Sequence, residues 1–127
     1  MTRKTDTPTE YEEACTFVEW LELMKMQGKI IDYCHIANES YGGTRADMLR
    51  GMKLKRQGRK KGVFDYEIFM LPSCPAFELR VELKKQKGGR VSKEQKYWLR
   101  IYEISGIPAK ICRGAEEAID FVKEFLC

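Results

Sequence analysis

The stretch from Asp65 to Lys84 reads DYEIFMLPSCPAFELRVELK, two alternating apolar segments around Pro72-Ser73-Cys74-Pro75. Two prolines flanking Ser73 and Cys74 interrupt strand pairing and favour a turn. Period-two alternation on both sides makes 65–71 and 77–84 the arms of a β-hairpin. With Leu71 facing Ala76, the register pairs Met70 with Phe77, Ile68 with Leu79 and Tyr66 with Val81. That face is wholly apolar and suits a core. The opposite face pairs Phe69 with Glu78, Glu67 with Arg80 and Asp65 with Glu82, and Lys84 follows Glu82 on the same side. A slip of one residue scrambles both faces, so the partition itself selects the register.

Directly opposed residues have Cβ atoms about 4.5–5.5 Å apart. Two carboxylates at that separation repel each other unless something positive lies between them. Mg²⁺ suits the position, since it takes oxygen ligands and keeps several waters beside one or two carboxylates. A lysine on the same strand face then orients a water or stabilises charge building on a phosphate. The same spacing also describes a solvated hairpin face with an incidental acid pair. The pattern alone does not separate the two readings.

Working outward, residues 10–26 are helical by periodicity: Tyr11, Ala14, Val18 and Leu21, with Phe17 and Met24 beside them, form a stripe. Thr9 is the N-cap and Gly28 the stop. At about 100° per residue, Glu10 projects near the middle of that stripe and Glu13 lies at its edge. By periodicity alone, Glu10 is an acid favouring the helix N-terminus and fraying into water. Residues 30–37 form a strand. The segment 38–62 carries Gly42-Gly43 and the cluster Lys53, Lys55, Arg56, Arg59, Lys60 and Lys61, and reads as a long basic loop with room for a short helix at 45–56. Ser92-Lys93-Glu94-Gln95 is a capping box opening a helix to about Ser105, with Gly106 as its stop. A strand at 107–112 and a helix at 114–126 complete the order α-β-β-β-α-β-α. This predicts an α/β fold, a mixed sheet of about four strands flanked by helices.

The chain has 127 residues, 43% hydrophobic and 33% charged, which fits one globular domain behind a polar lead at 1–9. No apolar run approaches the length of a membrane span, and the start lacks the apolar core of a signal peptide, so a cytoplasmic protein is expected. The five cysteines, Cys15, Cys34, Cys74, Cys112 and Cys127, include no C-x-x-C pair and read as reduced, mostly buried thiols. With His35 as the single histidine, a catalytic triad or His-rich metal site has little to build on; His35 itself reads as structural, and Trp20 and Trp98 as packing residues. No organic cofactor motif is present. The net charge of +4 is modest. The loop cluster, together with Lys84, Lys85, Lys87, Arg90, Lys93 and Lys96, nevertheless places cations on both sides of Asp65 and Glu82, as a track for phosphate backbones requires.

The string Gly62-Val63-Phe64-Asp65, then Glu82-Leu83-Lys84, then Gly89-Arg90-Val91-Ser92 and Gln95, resembles the virus-type replication-repair nuclease (VRR-NUC) domain. That family has the PD-(D/E)xK, restriction-endonuclease-like fold. The resemblance extends from about Glu10 to Leu126 and includes Asn38-Glu39 after the first strand. It implies a Mg²⁺-dependent nuclease, with Mn²⁺ able to substitute. Asp65, Glu82 and the backbone carbonyl of Leu83 are then metal ligands, Lys84 the catalytic lysine and Gln95 a residue beside the site. Glu10 matches the acid of the first helix, with Glu13 as its competitor. One departure is Phe64, where the family commonly has proline. Stand-alone members of this size occur in phages and bacteria, look similar to Holliday-junction resolvases and tend to be homodimers. The resemblance therefore implies branched DNA as substrate. A non-catalytic DNA-binding or interaction module retaining the fold is the alternative, and the intact Asp65, Glu82, Lys84 and Gln95 argue against it.

Overall fold

A computed structural model describes residues 7–37 and 43–127. The hairpin forms in the expected register. Strand β2 (Tyr66–Met70) runs antiparallel to β3 (Glu78–Lys84), pairing Tyr66 with Val81, Glu67 with Arg80, Ile68 with Leu79 and Phe69 with Glu78. Tyr66, Ile68, Met70, Leu79 and Val81 are all buried, as the apolar face requires. Phe77 departs from that expectation: it precedes β3 and stays 77% exposed, although its carbonyl accepts from Met70 N–H.

The sheet has four strands in the order β1-β2-β3-β4, with β1 (Ile30–His35) antiparallel on one edge and β4 (Ala109–Arg113) parallel to β3 on the other. Helix α1 (Glu10–Met26) opens with a Thr9–Glu12 capping box and lays Phe17, Leu21 and Met24 on the apolar face. Helix α4 (Ala115–Lys123) joins it there through Ala118, Phe121 and Val122. Helix α3 (Lys93–Ile104) crosses from β3 to β4 on the other face. There Arg80 bridges Glu67 and Glu78, each at 2.6 Å, and its guanidinium lies 5.3 Å from the Tyr102 ring centre.

Two expectations need correction. The order of elements left out the short helix for which 45–56 had room: it forms there as twelve residues, α2 (Arg45–Arg56), capped by Thr44, so the order is α-β-α-β-β-α-β-α. None of its described residues is buried, so it has no apolar face turned to the core that periodicity could reveal. The cysteines are not all reduced: Cys74 in the hairpin loop and Cys127 form a disulfide that ties the segment after α4 to the hairpin. Cys112 is buried, while Cys34 is exposed. Asn38, Glu39, Gly42 and residues 1–6 of the polar lead lie outside the described residues. Among those described, no helix is long and apolar enough to cross a membrane.

Candidate active site

Asp65 sits one residue before β2, where the hairpin opens. Its Oδ2 accepts the Leu83 N–H at 3.1 Å, which holds the carboxylate against the end of β3. Glu82 lies on the non-core face of β3 and is only 5% exposed. Its Oε2 accepts from Gln95 Nε2 at 2.9 Å and lies 3.8 Å from Lys84 Nζ. Gln95 is fixed in turn by the capping box: its Oε1 accepts the Ser92 N–H at 3.0 Å, and its own N–H donates to Ser92 Oγ at 3.1 Å. The capping box thus locks the helix start and aims the amide of Gln95 at the acid pair.

Gly62 brings these parts together. Its φ is +85°, and a Cβ there would fall 2.5 Å from the backbone carbon of Glu94. Only glycine lets the turn before β2 approach α3 so closely. Burial raises the pKa of both acids: it pushes Glu82 up to about 8, aided by the charge of Asp65 and opposed by Lys84. Asp65 is raised by burial and partly relieved by the Leu83 N–H. The pair therefore carries its second negative charge reluctantly unless a cation arrives.

Asp65, Glu82, Lys84 and Gln95 line a cavity of about 410 Å³, with Glu10 on its rim. Among the described residues, no three His, Cys, Asp or Glu side chains form a ready-made metal cage. Two close carboxylates with room for water and substrate are nevertheless the donor set that Mg²⁺ uses in phosphate chemistry. The residues fit a hard divalent cation.

The family model of the VRR-NUC domain matches residues 5–116. The chain belongs to the VRR-NUC family. Its fold is accordingly of nuclease type, and the expected substrate of such a domain is DNA. A solved structure described as a VRR_NUC domain protein has the same fold, with a TM-score of 0.72 at 20% identity, covering 95% of this chain and 90% of that one. No curated protein matches the chain.

Within this VRR-NUC domain the first-helix acids separate clearly. Glu10 lines the cavity. Glu13 is 5% exposed and turned away from it, accepting from Ala115 N–H at 2.9 Å and Gln86 Nε2 at 2.8 Å. Gly114, at the N-cap of α4, has no side chain to cap the helix, and Glu13 supplies that cap from a different helix. Phe64, in the proline slot, is fully buried, stacks edge-on to Tyr102 at 5.0 Å and donates its N–H to the Tyr102 hydroxyl. Proline has no N–H to make that bond.

The basic residues divide. Arg59 and Lys61 line the cavity, whereas Lys60 and Lys93 line a second one beside it. Lys53, Lys55 and Arg56 lie exposed on the last turn of α2, and Lys85, Lys87 and Arg90 on the exposed turn after β3; none of them lines either cavity. Two residues that the sequence reading did not assign to the site lie at or beside it. His35, read as structural, lies on the cavity wall at the end of β1, 5.0 Å from the Tyr66 ring. Arg113 donates to the carbonyls of Gly88 and Gly89, bracing the turn behind Lys84. His35 pairs with Tyr66, the neighbour of Asp65, so only the β1–β2 register could have signalled it.

Proposed function

We propose that this VRR-NUC domain is a metal-dependent endodeoxyribonuclease that hydrolyses phosphodiester bonds in branched DNA such as Holliday junctions. The observation that carries the reading is the convergence of Asp65, Glu82, Lys84 and Gln95 in one cavity edged by Arg59 and Lys61. Asp65, Glu82, Glu10 and the Leu83 carbonyl would hold one or two Mg²⁺ or Mn²⁺ ions. A cation bound there supplies Lewis acidity and lowers the pKa of water. Lys84 aligns the attacking water and screens the charge that grows on the phosphate oxygens. Gln95 holds Glu82 in place, and Arg59 with Lys61 seats the phosphate backbone. Oxygen of the water bonds to phosphorus as a phosphorus–oxygen ester bond breaks, and the departing oxygen takes a proton. Two copies in a homodimer bring two such sites to two strands, which suits a four-way junction. The choice of branched DNA follows the resemblance to stand-alone resolvases.

A panel of four-way junction, flap, duplex, single strand and supercoiled plasmid, each with Mg²⁺, Mn²⁺ or EDTA, tests this reading. Junction cleavage with either metal and none in EDTA is expected. Metal-dependent cleavage without preference for the junction removes the branched-DNA assignment alone, and no cleavage of any substrate overturns the enzyme reading.

A further inference from the structure

A file of aromatic rings leads away from the catalytic cavity. Phe64, next to Asp65, contacts Tyr102; Tyr102 lies 5.8 Å from Trp98, and Trp98 lies 5.8 Å from Tyr97. The inner rings are buried or half-buried, whereas Tyr97 at the outer end is 59% exposed. Tyr97 and Trp98 wall a second cavity of about 510 Å³, completed by Lys60, Lys61, Lys93 and Glu94. Lys61 and Glu94 line both cavities, so the two share a wall.

Two aromatic rings set at 87° to each other, with three lysines lining the same cavity, suit a flat aromatic group attached to an anion, which can stack on one ring and meet the edge of the other. A bare phosphate gains nothing from the rings, and an apolar peptide gains nothing from the lysines. A nucleotide uses both, its base stacked on one ring and its phosphate among the cations. Glu94 disfavours phosphate at its own position and offers an acceptor to a base N–H. Bases inside a duplex are paired and stacked, with no free face to offer.

We infer that the cavity at Tyr97 and Trp98 is a subsite for one unpaired base of a DNA strand whose neighbouring phosphate lies in the catalytic cavity. On a branched substrate, that base is one that comes unpaired at the branch point beside the cut. This rests on the nucleic-acid reading of the catalytic cavity, not on catalysis itself. The test is therefore equilibrium binding of the full chain in EDTA to a duplex and to the same duplex with a short single-stranded gap. Tyr97→Ala weakens binding to gapped DNA by about 5- to 150-fold, the range for losing one stacked base, and weakens duplex binding much less. Tyr97→Phe, which keeps the ring, stays within about twofold of the parent on gapped DNA. Equal losses on both DNAs, no loss on either, or no binding of gapped DNA by the parent overturns the inference. Metal-dependent cleavage that persists beside any of those results leaves the nuclease reading standing.

Discussion

Lys84→Ala slows DNA cleavage by about 10²–10³-fold, the range for losing one preorganised group that stabilises transition-state charge. Its ammonium lies 3.8 Å from Glu82 with the side chain only 12% exposed, held at the end of β3 opposite Arg113. The cation is thus inside the cavity, where its field is weakly screened. Arg59 and Lys61 still line that cavity in the variant, so DNA affinity changes little. Lys84→Arg restores the rate poorly, because a planar guanidinium cannot replace a compact ammonium in a half-buried slot. Single-turnover rates set beside binding constants separate the two effects. A variant that cleaves as fast as the parent removes Lys84 from the mechanism.

Glu13→Ala carries the largest expected loss of stability, about 2–4 kcal/mol. The substitution strips the cap from α4, leaves the buried Ala115 N–H without its acceptor and releases Gln86. It also removes a negative charge from the positive end of that helix. Gly114 offers nothing in its place: a Cβ there would meet Gln86 Cγ at 3.0 Å and Glu13 Oε2 at 3.3 Å, at a φ of +94°. Glu13→Gln keeps an acceptor oxygen and recovers much of the loss. Denaturant unfolding of the two variants measures this, and a Glu13→Ala protein as stable as the parent contradicts the capping role. Glu10→Ala, by contrast, leaves stability nearly unchanged, since Glu10 is exposed on the cavity rim.

What could be read in advance tracks where local chemistry outweighs tertiary context. The hairpin register was legible because each arm alternates cleanly and a slip would bury Glu67, Arg80 and Glu82 in the core. Ser92 and Gln95 announced a helix start by their spacing, whereas the place of Gln95 beside the acid pair was implied only by the family resemblance. Helix α2 was legible only as room for a short helix at 45–56, because it buries nothing and its apolar residues show no core-facing stripe. Glu10 and Glu13 share one side of α1, and only the arrival of α4 sends them to different tasks. The Cys74–Cys127 bridge spans 53 residues, and no local pattern marks its ends. The place of His35 on the cavity wall depended on which strand β1 pairs with.

If Asp65 and Glu82 form a cation site, thermal unfolding of the parent and Glu82→Gln proteins will report the cation. Because the folded-state pKa of Glu82 is raised to about 8, the folded chain holds a proton that the unfolded chain releases. Stability arising from that proton is present at about pH 4–5 and is lost as pH climbs toward about 8. Without metal, the parent should therefore unfold at a lower temperature than Glu82→Gln at pH 8, and the two should converge at pH 5. Mg²⁺ or Mn²⁺ added at pH 8 should raise the parent's transition, by about 2.7 kcal/mol of stability at a hundredfold excess over Kd, and leave Glu82→Gln nearly unmoved. A parent indifferent to both cations at pH 8, or a Glu82→Gln protein stabilised by them equally, contradicts the account.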